Sequence, residues 1–342
     1  MKLLKKLLIF AAPFLLLLAL FIAFEPYDYW GLKGESRYYA RSVSALRELL
    51  REQPENIVLG DSRMANFNAD YIEEQTGERY TMLCYGGATL NESIEQFWFA
   101  AGHTGLKKVV FGLDFYTLND NHRNETRFED AREKALEPLK FLGNFDVWLD
   151  AAGNFEVAFS NVWADITGDE TARLTVDDPS SLEQDVRPPD NYSAEGYRLD
   201  LLEYSYIIYS QCADYSPPLD YLAELEEIIS YCEENGIELI FVIPNCSRVI
   251  WNEVIYPLEL DYYIDIYKDF LKSRATVYDM EFDNDYAAND PLFYDGFHFV
   301  LEEKLHLARV IFAGEESEYC VRTTKEQYLA EKAAAEAEAE AA

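Results

Sequence analysis

Short apolar runs alternate with amphipathic stretches along most of the chain. Asn56-Ile-Val-Leu-Gly60 predicts a buried strand followed by a helix to Gln75. Tyr80-Thr-Met-Leu-Cys84 predicts a second strand, followed by a helix from Asn91 to Ala101, and Lys107 to Asp114 predicts a third strand. Further on come a helix from Leu219 to Glu234, a strand from Ile237 to Ile243 and a helix from about Pro257 to Lys272. A strand from Thr276 to Met280 and a last helix from about Leu301 to Phe312 follow. A helical pattern from about Tyr38 to Arg51 precedes the first strand. Strands that alternate with helices need crossover connections, which are right-handed, so the pattern predicts an α/β fold with a mostly parallel sheet covered on both faces.

Residues from about Asn119 to Ser216 break this rhythm and are too many for a simple βα loop. Apolar residues recur at helical spacing near Ala131 to Leu149, and the stretch from Asp165 to Asp200 holds ten acidic residues against three basic ones. The segment reads as an insertion or lid on the sheet.

The start of the chain has a pattern of its own. Lys2, Lys5 and Lys6 precede an uncharged run from Leu7 to Phe24, which as a helix rises about 27 Å, close to the hydrocarbon thickness of a bilayer. The lysines would stay on the cytoplasmic side and the remainder would be exported. A cleaved signal peptide is the competing reading, but Phe21-Ile-Ala-Phe-Glu25-Pro26 offers no small-x-small cleavage site; a buried core helix is the third. The organisation expected is a membrane anchor over 1–30, an α/β domain over 31–318 with the insertion at about 119–216, and an acidic tail over 319–342. In that tail Glu331 to Ala342 is a low-complexity Ala/Glu tract with nothing to bury.

Charge changes the list of partners. The 342 residues carry 63 Asp plus Glu against 29 Lys plus Arg, a formal charge of −34, so the surface field repels nucleic acid and anionic headgroups. With 49% of residues in the hydrophobic set, the chain is not disordered overall. Cys84, Cys212, Cys232, Cys246 and Cys320 form no C-x-x-C pair, so neither a zinc site nor a fully paired disulfide framework is indicated. The N-x-S/T triplets at Asn91, Asn124, Asn191 and Asn245 matter only in a eukaryotic secretory pathway.

Candidate chemistry lies at strand ends. The first strand closes in Gly60-Asp61-Ser62-Arg63, which puts Ser62 at the carboxyl end of a parallel strand, where open α/β sheets place their sites. Its hydroxyl can be a nucleophile with its N–H at a helix N-terminus, or Ser62 or Asp61 can simply cap that helix. Tyr294-Asp295-Gly296-Phe297-His298 precedes the last helix; an Asp three residues before a His can turn back to hold Nδ1–H and leave Nε2 to take a proton from a serine. An exposed loop histidine is the alternative. Of the other histidines, His103 lies at a helix end, His122 in a polar run and His306 inside the last helix; only His298 follows a carboxylate at this spacing in a loop after the last strand. After the second strand, Tyr85-Gly86-Gly87-Ala88-Thr89 can point an N–H at a bound group or form a plain tight turn.

These blocks resemble those of the SGNH (GDSL-like) hydrolases, and more closely their membrane-tethered branch, similar to bacterial polysaccharide O-acyl-transfer proteins. The resemblance covers roughly Asn56 to Phe312, interrupted at 119–216. It implies a three-layer flavodoxin-like fold, Ser62 as nucleophile, Gly87 with Ser62 in the oxyanion hole, Asp295 as orienting acid and His298 as base, with no cofactor and no metal. One block departs: where the family has G-x-N-D, this chain reads Gly112-Leu113-Asp114-Phe115. An ionised Asp114 cannot donate to an oxyanion. Asn119 is a candidate to swing back and supply the amide, and Asp114, Asn119 and Arg63 are candidate substrate contacts.

The function this predicts is an anchored, extracytoplasmic serine-dependent O-acyl esterase or acyltransferase on an acylated cell-surface polysaccharide, with a possible membrane-bound acyl-transfer partner. A non-catalytic module of the same fold that binds glycan or a membrane partner is the second reading, favoured by Asp114. A metal site at Asp283-Asn-Asp285 and Asn289-Asp290 is the third, without the spacing of a calcium loop.

Overall fold

A computed structural model describes residues 2–32, 41–65, 67–122, 127–174 and 194–341. Its elements begin, in chain order, with α1 (Lys2–Phe24), α2 (Arg41–Glu52), β1 (Asn56–Gly60), α3 (Ser62–Ala65) and α4 (Ala69–Thr76). Next come β2 (Thr81–Cys84), α5 (Leu90–His103), β3 (Lys108–Gly112), α6 (Arg127–Leu136), α7 (Phe145–Thr167) and α8 (Ala194–Cys212). After these lie α9 (Leu219–Asn235), β4 (Glu238–Ile243), α10 (Arg248–Ile250), α11 (Leu260–Lys272) and β5 (Thr276–Asp279). The last are α12 (Leu301–Phe312), β6 (Val321–Thr323) and α13 (Lys325–Ala341). The chain divides into two compact units, one of residues 1–52 with 126–181 and one of residues 53–125 with 182–342.

The second unit is built on one six-stranded sheet in the order β2-β1-β3-β4-β5-β6, with β1 to β5 parallel and β6 antiparallel to β5. The fold is thus α/β on a mostly parallel sheet. The strand order reverses beside β1, with β2 on one side of it and β3 to β6 on the other, and the carboxyl edge at such a reversal is where open α/β sheets place their sites. Alternate strand residues Val58, Met82, Val110, Val242 and Tyr278 form one buried cluster with Ile72 of α4 and Leu307, Val310 and Ile311 of α12. Ile57, Leu59, Val109, Phe111, Phe241 and Val277, on the other pleat, are also fully buried, and α5 and α9 pack on β1, β2 and β4 without entering that cluster. Every central strand therefore reads as a continuous apolar run, as strands covered on both faces must.

Three boundaries differ from the sequence expectation. The helix expected to run to Gln75 is two: α3 stops after one turn, and Asn68 starts α4 by accepting from Tyr71 N at 2.9 Å. Within 119–216, residues of α6 and α7 fall in the first unit, while α8 falls with the sheet. Residues 175–193 of the acidic stretch from Asp165 to Asp200 lie outside the described residues, as do Tyr38, Asn124 and Asn191. The tail also adds to the sheet and is tied to α11. Val321–Thr323 adds the edge strand β6, and α13 is tied to Asp269 by Lys332 at 2.9 Å and by the Tyr328 hydroxyl. Three residues are too few for an alternation to show in sequence.

In the first unit α1 is one helix, and its Lys5–Phe24 part is long and apolar enough to cross a membrane. Its last carbonyls need partners. Asn154 of α7 donates its amide to Phe24 O at 2.9 Å, and the buried Glu25 carboxylate accepts from Tyr27 N and Tyr29 N, each at 2.6 Å. The helix α2 packs on α6, where Arg47 donates to Ala135 O at 2.9 Å and the Tyr29 hydroxyl to Lys134 O at 2.8 Å.

Candidate active site

Local sequence at the end of β1 decides where Ser62 points. Gly60 has φ +138, a conformation side chains rarely adopt, and a Cβ there would lie 2.7 Å from Met64 Cγ. A Cβ on Gly112, at the end of β3, would meet the same Met64 atom at 2.1 Å. The two glycines therefore make room for Met64 to tuck between the strand ends, which closes the chain directly into α3. Asp61 supplies the cap: its Oδ1 accepts Arg63 N at 2.9 Å and its carbonyl accepts Ala65 N at 2.9 Å. The capping role falls to Asp61, so the Ser62 hydroxyl is not consumed by the helix.

That hydroxyl lies 2.6 Å from Nε2 of His298, and Nδ1 of His298 lies 2.8 Å from Oδ2 of Asp295. With the proton on Nδ1 donated to the carboxylate, Nε2 is the acceptor for Ser62 O–H. The other Asp295 oxygen accepts His298 N at 2.8 Å and Phe297 N at 3.0 Å. Burial pushes the Asp295 carboxyl up, but electrostatic attraction to His298 and these hydrogen bonds outweigh it and hold the group below the usual carboxylate range. Gly296, at φ +86, makes the turn; its carbonyl accepts Ser247 N at 2.8 Å and a Cβ would meet Ser247 Oγ at 2.9 Å. Tyr294 N donates to His298 O at 2.7 Å and fixes the loop from the other side.

Gly87 sits in the turn after β2, exposed and at φ +64. The parallel register sets Cys84 opposite Gly60, so this turn leaves the sheet beside the Ser62 turn.

The three residues read as substrate contacts are placed otherwise. Arg63, Asp114 and Asn119 are each 3% exposed or less, so in this conformation a ligand reaches none of them. Asp114 accepts Tyr116 N at 2.7 Å and Thr117 N at 2.8 Å, and its Oδ2 forms an ion pair with Arg63 Nη2. Asn119 is engaged elsewhere: its amide donates to Gln211 O at 3.3 Å and its Oδ1 accepts Asn121 N and Ser216 N at 3.2 and 3.1 Å. Arg63 also has Nε 3.6 Å from Asp61 Oδ2, and its guanidinium lies 3.9 Å above the Phe297 ring. A buried cation next to Ser62 is thus stacked on the residue next to His298, which ties the two blocks together.

Two neighbours escaped the sequence reading. Tyr204 of α8 places its ring 6.2 Å from that of His298, and burial, then the Asp295 charge, push its phenol above the usual range. The usable signal was the buried series Tyr197, Leu201, Ser205, Ile208 and Cys212, a helical spacing that marks α8 as packed. Glu281, just past β5, is fully buried; burial pushes its carboxyl up to about 8 although the Arg63 charge and Phe115 N oppose this.

Among the described residues no group of three or more His, Cys, Asp and Glu side chains is arranged to hold a metal ion. Asp283, read as a candidate ligand, pairs with Arg248 at 2.7 Å. All five cysteines are buried and unbridged. Asn245 is fully buried, with its amide donated to Phe282 O at 3.1 Å. No protein-family model matches the chain, and no curated protein matches it significantly.

Proposed function

We propose that this chain is a membrane-anchored, extracytoplasmic serine esterase or O-acyltransferase of the SGNH type, acting on an acylated carbohydrate polymer. The observation that carries the reading is the hydrogen-bond sequence Ser62 Oγ, His298 Nε2 and Nδ1, Asp295 Oδ2, with lengths of 2.6 and 2.8 Å. The strand order from β2 to β5 is also the flavodoxin-like one, and the three residues meet at its carboxyl edge.

In this mechanism Ser62 Oγ attacks the ester carbonyl as its proton passes to His298 Nε2, and Asp295 stabilises the imidazolium. The N–H groups of Ser62 and Gly87 receive the oxyanion. The imidazolium then protonates the leaving sugar oxygen, which leaves an acyl group on Ser62. Water or a second sugar hydroxyl, deprotonated by His298, attacks that ester and frees the serine. The acid that replaces the third-block asparagine does not oppose the oxyanion, because its charge is held by Arg63.

The full chain in detergent is expected to release acetate from acetylated glycans or to cleave a chromogenic acetyl ester, and Ser62→Ala to abolish this. Equal inertness of both folded proteins across such a panel removes the enzymatic reading. The second reading, a glycan-binding module without turnover, is favoured by the loss of the asparagine donor. It predicts glycan binding that Ser62→Ala leaves unchanged, with no acyl release.

A further inference from the structure

The helix α7 carries an apolar stripe that its own unit does not cover. Phe145, Leu149, Phe155, Phe159, Trp163 and Ile166 are between 41% and 75% exposed. At 3.6 residues per turn they fall within about a third of the helix circumference. The opposite side, with Val147, Ala151, Asn154, Val157, Asn161 and Ala164, is buried. The helix therefore has one packed side and one bare apolar side.

What covers the bare side follows from where α7 is fastened. Trp148, at the edge of the stripe, packs tilted against Phe21 with ring centroids 4.3 Å apart, and Phe155 meets Phe24 edge-on at 5.3 Å. The Asn154 amide closes the same end of α1 by donating to Phe24 O. If α1 spans a bilayer from Lys6, its last turn lies about 27 Å further on, at the outer edge of the hydrocarbon. The stripe therefore starts where the lipid-facing surface of α1 ends. Asp146, Asp150, Glu156 and Asp165 are spread along α7, too many carboxylates for a second span. Of these only Glu156 falls in the stripe, near its Leu149 edge. An apolar face rich in aromatic residues with acids on its other sides is the pattern of a helix lying in the interface plane. The helix has no Lys or Arg, so anionic headgroups would not attract it.

We propose that α7 lies on the outer leaflet of the membrane that α1 crosses, with Phe159 and Trp163 inserted among zwitterionic lipids. The proposal rests on the reading of α1 as an anchor. Nitroxide labels on the full chain in phosphatidylcholine nanodiscs test it, one each at Leu16→Cys, Phe159→Cys, Trp163→Cys and Asp165→Cys; the native cysteines are buried. Near-ultraviolet circular dichroism matching the parent selects folded variants. Broadening by oxygen is expected to exceed broadening by a water-soluble nickel complex at Leu16, Phe159 and Trp163, and the reverse at Asp165. Lipid-like behaviour at Leu16 with water-like behaviour at Phe159 and Trp163 overturns the proposal and leaves the anchor standing. Shielding of both positions from both reagents, with spin–spin broadening, overturns it in favour of a second copy of the chain. Water-like behaviour at Leu16 removes the anchor reading and this proposal together.

Discussion

Beside Ser62 lies a buried arginine whose charge is shared between Asp61 and Asp114 and whose face rests on Phe297. Removing one partner of such a buried pair leaves the other uncompensated, which costs about 3 to 5 kcal/mol. Arg63→Met is accordingly expected to lower the urea midpoint sharply, and the double variant Arg63→Met/Asp114→Asn to recover much of the loss. A purely additive double variant would mean that the two groups do not depend on each other. Asp295→Asn keeps the shape of the triad but loses the acceptor that fixes the His298 tautomer. A fall in kcat of about a thousandfold or more is expected, with the stability largely kept. Glu281 makes a pH prediction. Its carboxyl is raised to about 8 in the folded chain, so the stability its burial as a neutral acid allows is complete below the unfolded value near 4.5. That stability is lost as pH rises through about 8. Unfolding at pH 5.5 and 8.5 should show a smaller pH loss in Glu281→Gln than in the parent; an equal loss in both would assign it to other groups.

At the scale of elements, the parts of the sheet that were legible are those where one rule acts alone. Strands β1, β3, β4 and β5 are short apolar runs between turn residues, and each appears within two residues of its expected ends. The strand-to-helix turn at Gly60 was legible as a place but not as a mechanism, because the clash that demands glycine comes from Met64 and Gly112, on two other elements. Gly60→Ala is therefore expected to destabilise the fold by about 1 to 3 kcal/mol and to lower turnover by displacing Ser62, as read by thermal melting and ester hydrolysis. Elements fixed by long-range contacts were not legible. The edge strand β6 is three residues long, and α8 joins the sheet unit while α6 and α7 do not. Among the candidate site residues, Ser62, His298 and Asp295 stand in short motifs that the sequence reading could interpret. Arg63 and Asp114 carry no such meaning until the ion pair between them is seen, and sequence alone made them candidate ligands.

For the whole molecule, the charge of −34 is an average over parts that behave differently. The lysines at the start flank an apolar helix, and the acidic excess lies beyond it. Such a distribution opposes polyanionic partners, and the proposed function takes neutral or acylated glycans accordingly. On the anchor reading, the chain inserted during synthesis into sealed vesicles should resist alkaline carbonate extraction. Its C-terminal region should be protected from added protease, and Leu15→Arg/Leu18→Arg should release it. The central claim, that Ser62 is an activated nucleophile driven by His298, is tested most directly by an active-site fluorophosphonate on the full chain, followed by intact-mass and peptide analysis. The account predicts one adduct per chain on Ser62, none with Ser62→Ala, and labelling slowed by about a thousandfold with His298→Ala. Folded parent protein that takes no label, or labels equally without Ser62, would contradict it.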